Sequence, residues 1–298
     1  MDIISRLAFA VIVGIVVGII CWAIFQIRNK KVKKSVPNES RIDILKEYSS
    51  YENQKETHKH FVKMVLNKPV PDILNKYNYR SYCVTDPDNK DAIVFSMLDF
   101  VCDNFSHTGD AVLPTDHSIT GIIKGCERIG LKTNCRGLSI ILAETLRMNG
   151  VRARIVTCKP YEEPFEDCHV VVDCLMPSGT RIMLDPTYHL YLIDNNGKYI
   201  SLAELREGII AGRTFRYNEK ASYNGTGFIY QDYIEYMTKN VLRFNTNYNQ
   251  DDRDSVFSEI ELVPKGYTIN GYSRLIKFTS DPEYFWDISQ IKIDTKQL

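Results

Sequence analysis

Three chemically active residues stand at the ends of regular elements in this sequence, and their order constrains the fold most. Cys135 directly precedes an amphipathic helical pattern. His169 heads one apolar run, and Asp185 closes another. A thiol, an imidazole and a carboxylate in this order are the parts of a nucleophilic thiol site. The sequence therefore predicts a helix packed near two strands, with these three side chains where the elements meet.

The residues after Cys135 have the spacing of a helix with one apolar face. This face is formed by Leu138, Ile141, Leu142 and Leu146. Thr133 or Asn134 can cap the start of the helix, and Gly150 stands where a left-handed residue would end it. Cys135 therefore falls in the first turn, where unpaired backbone N–H groups and the helix dipole favour a thiolate over a thiol. The same N–H groups could donate to an oxyanion during acyl transfer.

Three strands are predicted after this helix. Residues 151–157 alternate apolar side chains with arginines, a pattern typical of a sheet with one face in water. Residues 169–175 and 180–184 are two apolar runs joined by a short Pro-Ser-Gly turn, which predicts an antiparallel hairpin. Because His169 begins one strand and Asp185 ends the other, we expect the carboxylate within hydrogen-bonding reach of the imidazole.

Four motifs together resemble the transglutaminase-like core, which is also called papain-like. They are Asn134-Cys135-Arg136-Gly137 at the helix start, Met148-Asn149-Gly150-Val151-Arg152-Ala153-Arg154, His169 at the head of a strand, and Leu184-Asp185-Pro186-Thr187. The resemblance covers residues 90–205. The sequence departs from the usual pattern of the family at Thr133, where a glycine is typical, and at Arg152, where a proline is typical.

This resemblance implies an α+β fold in which the catalytic helix packs on an antiparallel sheet. It also implies a Cys135 nucleophile, a His169 general base and an Asp185 that orients the imidazole. The superfamily includes transamidases, deamidases, peptidases and inactive binding modules. Two hypotheses therefore stay open. One is a thiol enzyme for acyl transfer or hydrolysis at a carboxamide or peptide bond of a protein or peptide substrate. The other is a catalytically silent binding or scaffolding module.

An uncharged apolar run from Leu7 to Phe25 predicts an N-terminal transmembrane helix that sits in a lipid bilayer. At about 1.5 Å per residue it is about 28 Å long, close to the thickness of the hydrocarbon core. A cleaved signal peptide is the alternative, but no small-x-small cleavage site follows the run. We expect a single-pass protein of the cell membrane.

Two sequence features give opposite predictions for the side of the membrane that the catalytic core faces. The basic cluster at 28–34 follows the apolar run, whereas only Arg6 and the amino terminus precede it. The positive-inside rule then places the catalytic core in the cytoplasm. Membrane-tethered members of the resembled family often face outward, which favours the opposite side.

The sequence divides into four predicted parts. They are an anchor at 1–27, a basic juxtamembrane segment with a stalk or a peripheral helix at 28–60, a catalytic core at 61–205, and a helical and β extension at 206–298. Further helices are predicted at 91–105, 118–129, 201–211 and 230–243. Further strands are predicted at 255–263 and 274–278.

Other functional classes fit the sequence less well. Lys and Arg together number 37, as do Asp and Glu together, so no broad positive field for nucleic acid is expected. Glycine-rich phosphate loops and dinucleotide motifs are absent. A cluster of zinc-type ligands lacks the spacing of a metal knuckle; its members are Cys158, Cys168, His169 and Cys174. We therefore predict no metal and no cofactor. Three histidines are assigned to surface or turn positions: His107, His117 and His189.

Overall fold

The structure, a computed structural model, describes most of the chain after residue 37. The described residues are 38–52, 63–84, 86–161, 167–247, 259–269, 276–288 and 292–293. The transmembrane helix predicted at 7–25 lies outside them. Within the described ranges, no helix combines the length and the apolar character that crossing a bilayer requires.

Helices and strands are interspersed along the described chain in a mixed α+β fold. The helices are α1 (Asn38–Glu47), α2 (Tyr79–Tyr82), α3 (Ala92–Asn104), α4 (Ile119–Arg128), α5 (Cys135–Met148), α6 (Leu202–Ile210), α7 (Tyr230–Asn240) and α8 (Pro282–Trp286), with a 3₁₀ helix at Asp72–Tyr77. The strands are β1 (Lys63–Met64), β2 (Ser106–His107), β3 (Lys132–Thr133), β4 (Arg152–Lys159), β5 (His169–Leu175), β6 (Arg181–Leu184), β7 (Leu192–Ile193), β8 (Arg216–Tyr217), β9 (Arg243–Asn247), β10 (Glu259–Leu262), β11 (Ile276–Thr279) and β12 (Lys292–Ile293).

Local signals set several element boundaries. Gly150 has a φ of 75° just beyond α5, in the left-handed region that glycine adopts at no steric cost. Ser201 begins α6 through a capping box with Glu204, in which each side chain bonds the backbone of the other. The two predicted extension strands correspond to β10 and β11. Their first predicted residues, 255–258 and 274–275, lie outside the described ranges.

One six-stranded sheet organises the fold, with the strand order β11–β10–β9–β4–β5–β6. Neighbouring strands are antiparallel except for β10 and β11, which are parallel. β9, which follows residue 205, pairs directly with β4, and Thr157 lies opposite Asn245. The sheet therefore runs from the predicted catalytic core into the predicted extension without interruption.

Helices cover both faces of this sheet. On one face, α3, α4 and α5 pack against strand residues that include Ile155 and Val172. On the other face, α1, α6 and α7 pack with Val156 and Val171. Since alternate residues of a strand point to opposite faces, β4 and β5 are buried on both sides. The prediction of a water-facing side for residues 151–157 is therefore wrong, and Arg154 is only 2% exposed.

Residues 38–52 pack on the folded body. Leu45 of α1 is buried in the same apolar cluster as α6 and α7. Arg206 of α6 donates to the carbonyl of Tyr48 at 2.5 Å and to that of Ser49 at 3.2 Å. Residues 38–47 therefore form a helix that packs on the folded body. The neighbouring residues 28–37 and 53–60 lie outside the described ranges.

A buried carboxylate holds two arginines together across the sheet. Arg154 and Asp173 lie directly opposite one another in β4 and β5, and Arg154 Nε donates to Asp173 Oδ2 at 2.9 Å. Arg181 of β6 donates to both oxygens of this carboxylate, at 3.1 and 2.5 Å. Burial raises the pKa of Asp173, but the charges of Arg181 and Arg154 outweigh it, so the net shift is downward. Asp173 is therefore the anion that makes a buried Arg154 tolerable.

We expect the substitution Asp173→Asn to destabilise the fold by about 3–5 kcal/mol, because it leaves a buried guanidinium without its counter-charge. Urea unfolding of the purified chain, followed by circular dichroism, measures this loss. Asp110→Asn, at an exposed position, is the matched control and should change stability by less than about 0.5 kcal/mol. Equal stability of the two variants would show that Asp173 does not balance Arg154.

Candidate active site

Cys135 is the first residue of α5, and Asn134 caps this helix. Gly137 N donates to Asn134 Oδ1 at 3.0 Å, and Asn134 Nδ2 donates to the carbonyl of Ala111 at 2.9 Å. Of the two capping residues that the sequence allows, Asn134 therefore takes the role. A Cβ at Gly137 would lie 2.1 Å from Thr133 Oγ1, so only glycine fits in this first turn. The half-buried thiol thus sits on a rigid helix start, where backbone N–H groups lack intrahelical partners.

The start of α5 is fixed against the head of β5. Ser139 Oγ, one turn into the helix, donates to the carbonyl of Val170 at 2.9 Å. His169 is the first residue of β5, so its ring lies at the end of the sheet where α5 also begins. This contact places the thiol and the imidazole in the same neighbourhood.

His169 and Asp185 form a direct hydrogen bond in the interior. His169 Nε2 lies 2.7 Å from Asp185 Oδ2, and the two residues are 1% and 0% exposed. The bond occupies Nε2 and leaves Nδ1 of the same ring for the thiol. One ring nitrogen is therefore held by a carboxylate while the other is free for proton transfer, which is the arrangement that general-base catalysis needs.

The register of the hairpin explains why these two side chains meet. In the β5–β6 pair, Val172 lies opposite Leu184, the last residue of β6. Continuing this register would set Asp185 opposite Val171. His169 is two positions before Val171 and shares its face, so His169 and Asp185 are diagonal neighbours across the pair.

Two further donors hold the Asp185 carboxylate. Thr187 N donates to Oδ1 at 3.0 Å, and Tyr233 OH donates to Oδ2 at 3.2 Å. Burial and the charge of Asp185 raise the pKa of Tyr233 well above its usual value, so the phenol keeps its proton and stays a donor. Tyr233 belongs to α7, and no sequence signal linked it to the site.

The electrostatics of the site favour an ion pair between the thiolate and the imidazolium. Burial raises the pKa of Cys135, but interactions with the side chains of His107 and His169 outweigh it and lower this pKa to about 6. Burial lowers the pKa of His169, but the charge and hydrogen bond of Asp185, together with Cys135, raise it to about 10. Between these two values, Cys135 is negative and His169 is positive.

Aromatic rings enclose the imidazole of His169. Its centroid lies 5.1 Å from that of Tyr236 and 6.1 Å from that of Tyr188, both in edge-on orientations. Tyr188 in turn contacts Tyr223, with ring centroids 5.6 Å apart. These rings limit the access of water to the imidazole and shape the approach to the thiol.

His107 is the functional candidate that sequence reasoning missed. The surface or turn position predicted for it is compatible with its partly exposed side chain in β2, but this side chain also interacts with the Cys135 thiol. His107 Nδ1 lies 3.0 Å from Tyr223 OH. The pairing of β2 with β3 places His107 beside Thr133, and a ladder of two residues per strand leaves no readable sequence pattern.

Further polar side chains line a cavity in the described part of the chain. A cavity of about 500 Å³ has none of the three predicted site residues in its lining. It is lined by Phe95, Leu98, Asp99, His189, Tyr191, Ile193, Tyr217, Asn218, Glu219 and Lys220. His189, which we had assigned to a surface or turn position, lies 2.7 Å from Asp99 through Nε2. In the part of the chain that the structure describes, no group of three or more His, Cys, Asp or Glu side chains is arranged to hold a metal ion.

Comparisons with known proteins give distant structural similarity. No protein-family model and no curated protein matches the chain. A solved Cytophaga hutchinsonii protein named a "Putative Cysteine Protease" is 18% identical with a TM-score of 0.30, covering 44% of this chain and 41% of its own. A solved protein named a TGase is 15% identical with a TM-score of 0.24, covering 56% and 37%. The chain thus spans less than half the length of either. At these TM-scores the similarities carry no argument about the reaction.

We expect Cys135 to react with iodoacetamide at a rate that rises through a midpoint near pH 6, as the lowered pKa requires. A free cysteine would show a midpoint of about 8.5. The substitutions His169→Asn and Asp185→Asn weaken the positive partner of the thiolate, so each should raise the midpoint by at least about one pH unit. Mass spectrometry of the Cys135 peptide measures the rate apart from the other cysteines. A midpoint at the free value in the wild type would contradict the ion pair.

Proposed function

We propose that this protein is a membrane-anchored, transglutaminase-like thiol enzyme. In this proposal Cys135 is the nucleophile, His169 is the general base and acid, and Asp185 holds the imidazole. The reaction is acyl transfer or hydrolysis at a carboxamide or peptide bond. The observation that carries the proposal is the buried 2.7 Å contact between His169 Nε2 and Asp185 Oδ2, with the other ring nitrogen left for a thiol of lowered pKa.

The proposed reaction has two stages. The Cys135 thiolate attacks the carbonyl carbon, a C–S bond forms, and the π electron pair moves onto the oxygen. When the tetrahedral intermediate collapses, the C–N bond breaks and His169 transfers its proton to the departing nitrogen. Water or an amine then attacks the thioester after losing a proton to His169. Cys135 is released as a thiolate, with a carboxylic acid or a new amide as product.

We propose a protein or peptide as the substrate. The half-buried thiol lies beside the tyrosine rings around His169, whereas the cavity of about 500 Å³ is lined by other residues. Because the thiol lies outside the lining of this cavity, a chain segment presented to it from solvent is favoured over a small molecule held in the cavity. No cofactor enters the proposed chemistry.

The competing hypothesis is a catalytically silent binding or scaffolding module with the same fold. Both hypotheses place the same side chains at the head of α5. They differ in whether the thiol forms a covalent acyl intermediate. A test for covalent chemistry at Cys135 therefore distinguishes the two hypotheses, whereas a binding measurement does not.

We expect Cys135→Ser to abolish turnover and Asp185→Asn to reduce it at least about 100-fold, since the base then loses its orientation. A panel of glutamine-containing peptides, with and without a primary amine, provides the assay. Ammonia release reports deamidation or transamidation, and new amino termini report peptide cleavage. Cys83→Ser, at another free and half-buried thiol, is the matched control and should keep full activity. Unchanged turnover in Cys135→Ser would refute the thiol mechanism and leave the binding module.

The proposed membrane anchor rests on the sequence of residues 7–25. If these residues span the bilayer, the full-length chain should stay in the membrane pellet during alkaline carbonate extraction. Extraction into the supernatant would contradict anchoring. A membrane-impermeant maleimide on intact cells then reports the side, because it labels the protein only if the catalytic core faces outward.

A further inference from the structure

We propose that His107 is an oxyanion donor: its Nε2–H donates to the carbonyl oxygen when Cys135 attacks. This inference rests on the proposed function, because it assigns a further catalytic residue to the same site. Three features of the fold support this role: the position of the His107 backbone, the hydrogen bond that orients its ring, and the different partners of the two imidazoles.

The backbone of His107 is fixed beside the chain that leads into α5. In the parallel β2–β3 pair, His107 lies opposite Thr133, two residues before Cys135. Ser106 N donates to Leu131 O at 2.9 Å, and Thr108 N donates to Thr133 O at 2.8 Å. Hydrogen bonds on both sides of His107 therefore hold its backbone next to the chain that enters α5.

A distant loop reinforces this position. His107 N donates to Asn224 Oδ1 at 2.7 Å, and Asn224 Nδ2 donates back to His107 O at 3.0 Å. Asn224 has a φ of 52°, a left-handed conformation that asparagine tolerates better than most residues. One side-chain amide thus satisfies both backbone groups of His107, as preorganised catalytic groups require.

The ring of His107 is oriented by Tyr223. Tyr223 OH lies 3.0 Å from Nδ1, so Nε2 is the nitrogen left for the thiol. A thiolate only accepts hydrogen bonds, so the nitrogen that faces it must carry a proton. In the neutral ring, Nδ1 then accepts from the Tyr223 hydroxyl. This bond keeps the proton on Nε2 and makes His107 a fixed donor.

The two imidazoles of the site have different partners and therefore different roles. His169 is backed by the carboxylate of Asp185, which stabilises a charged ring that gains and loses a proton. His107 is backed by a neutral phenol, which orients the ring without a counter-charge. Only His169 is thus built for proton transfer, and His107 is built for donation.

The charge movement of the reaction fits this division. Before attack the negative charge lies on sulfur, and His107 Nε2–H donates to it. As the C–S bond forms, the π pair moves to the carbonyl oxygen, and the charge moves with it. His107 and the backbone N–H of Cys135 then donate to this oxygen. When the thiolate is released, His107 donates to sulfur again. No proton leaves His107 at any step.

Two thiol probes separate this role from a general effect on the thiolate. p-Nitrophenyl acetate acylates a thiolate through a tetrahedral oxyanion, whereas iodoacetamide alkylates it by direct displacement without one. Rates at Cys135 are read from its peptide by mass spectrometry, at a pH about two units above the labelling midpoint of each variant. Under these conditions the thiolate fraction is complete, and a change in the ratio of the two rates reports the oxyanion alone.

We expect His107→Ala to lower the acylation rate about 10²–10³-fold, the usual effect of removing one oxyanion donor, and to change the alkylation rate by less than about threefold. His107→Gln keeps an N–H donor and should recover most of the acylation rate. Tyr223→Phe removes the hydroxyl that keeps the proton on His107 Nε2, so it should lower the acylation rate and not the alkylation rate. This variant tests the proposal even if His107→Ala does not fold. His117→Ala, at an exposed histidine, is the matched control.

A parallel fall of both rates, or no fall in either, would overturn the assignment of His107. If alkylation of wild-type Cys135 proceeds and His107→Ala leaves acylation intact, the assignment fails and the proposed function stands. If wild-type Cys135 reacts with neither probe, the proposed function itself fails. The two ideas are therefore tested separately in one experiment.

Discussion

The buried hydrogen bond between His169 and Asp185 is the interaction on which the rest of the site depends. A carboxylate at 0% exposure is costly unless its oxygens are satisfied. Here the imidazole, the Thr187 N–H and the Tyr233 hydroxyl supply three donors. In the low dielectric of the interior such a network is strong when complete and costly when broken. The strand register, the Asp-Pro turn and α7 therefore have to meet at one point, and the fold is arranged around that requirement.

The same hydrogen-bond network sets which side chains of the site carry positive and negative charge. Asp185 favours the positive form of His169, and His107 together with His169 favours the negative form of Cys135. In the proposed function these two charged side chains serve as nucleophile and acid. The buried pair of Arg154 and Asp173 lies on the same strands but serves another purpose, since both of its members are held by structural partners.

Local patterns in the sequence predict the elements that carry the three central residues. The start of α5 at Cys135 and the bounds of β5 follow from caps and apolar periodicity, and the hairpin register follows from a short turn. Contacts between distant segments were not predictable. His107 reaches the site through two-residue strands, and Tyr233 reaches it from a helix that reads only as an aromatic stripe. The burial of Arg154 was not predictable either. The alternation of apolar and polar residues along a strand shows which residues share a face of the sheet, but not what covers that face.

The contribution of Tyr233 has a consequence for how such a protein can evolve. Residues 61–205 contain the thiol, the imidazole and the carboxylate, and a recombination event could transplant them as a unit. That unit would lack α7, and one oxygen of Asp185 would lose a donor in a place that water does not reach. It would also lack β9, so β4 would become an open edge. A unit cut at residue 205 is therefore expected to be less stable than the whole described fold, because the sheet and the site both cross that boundary.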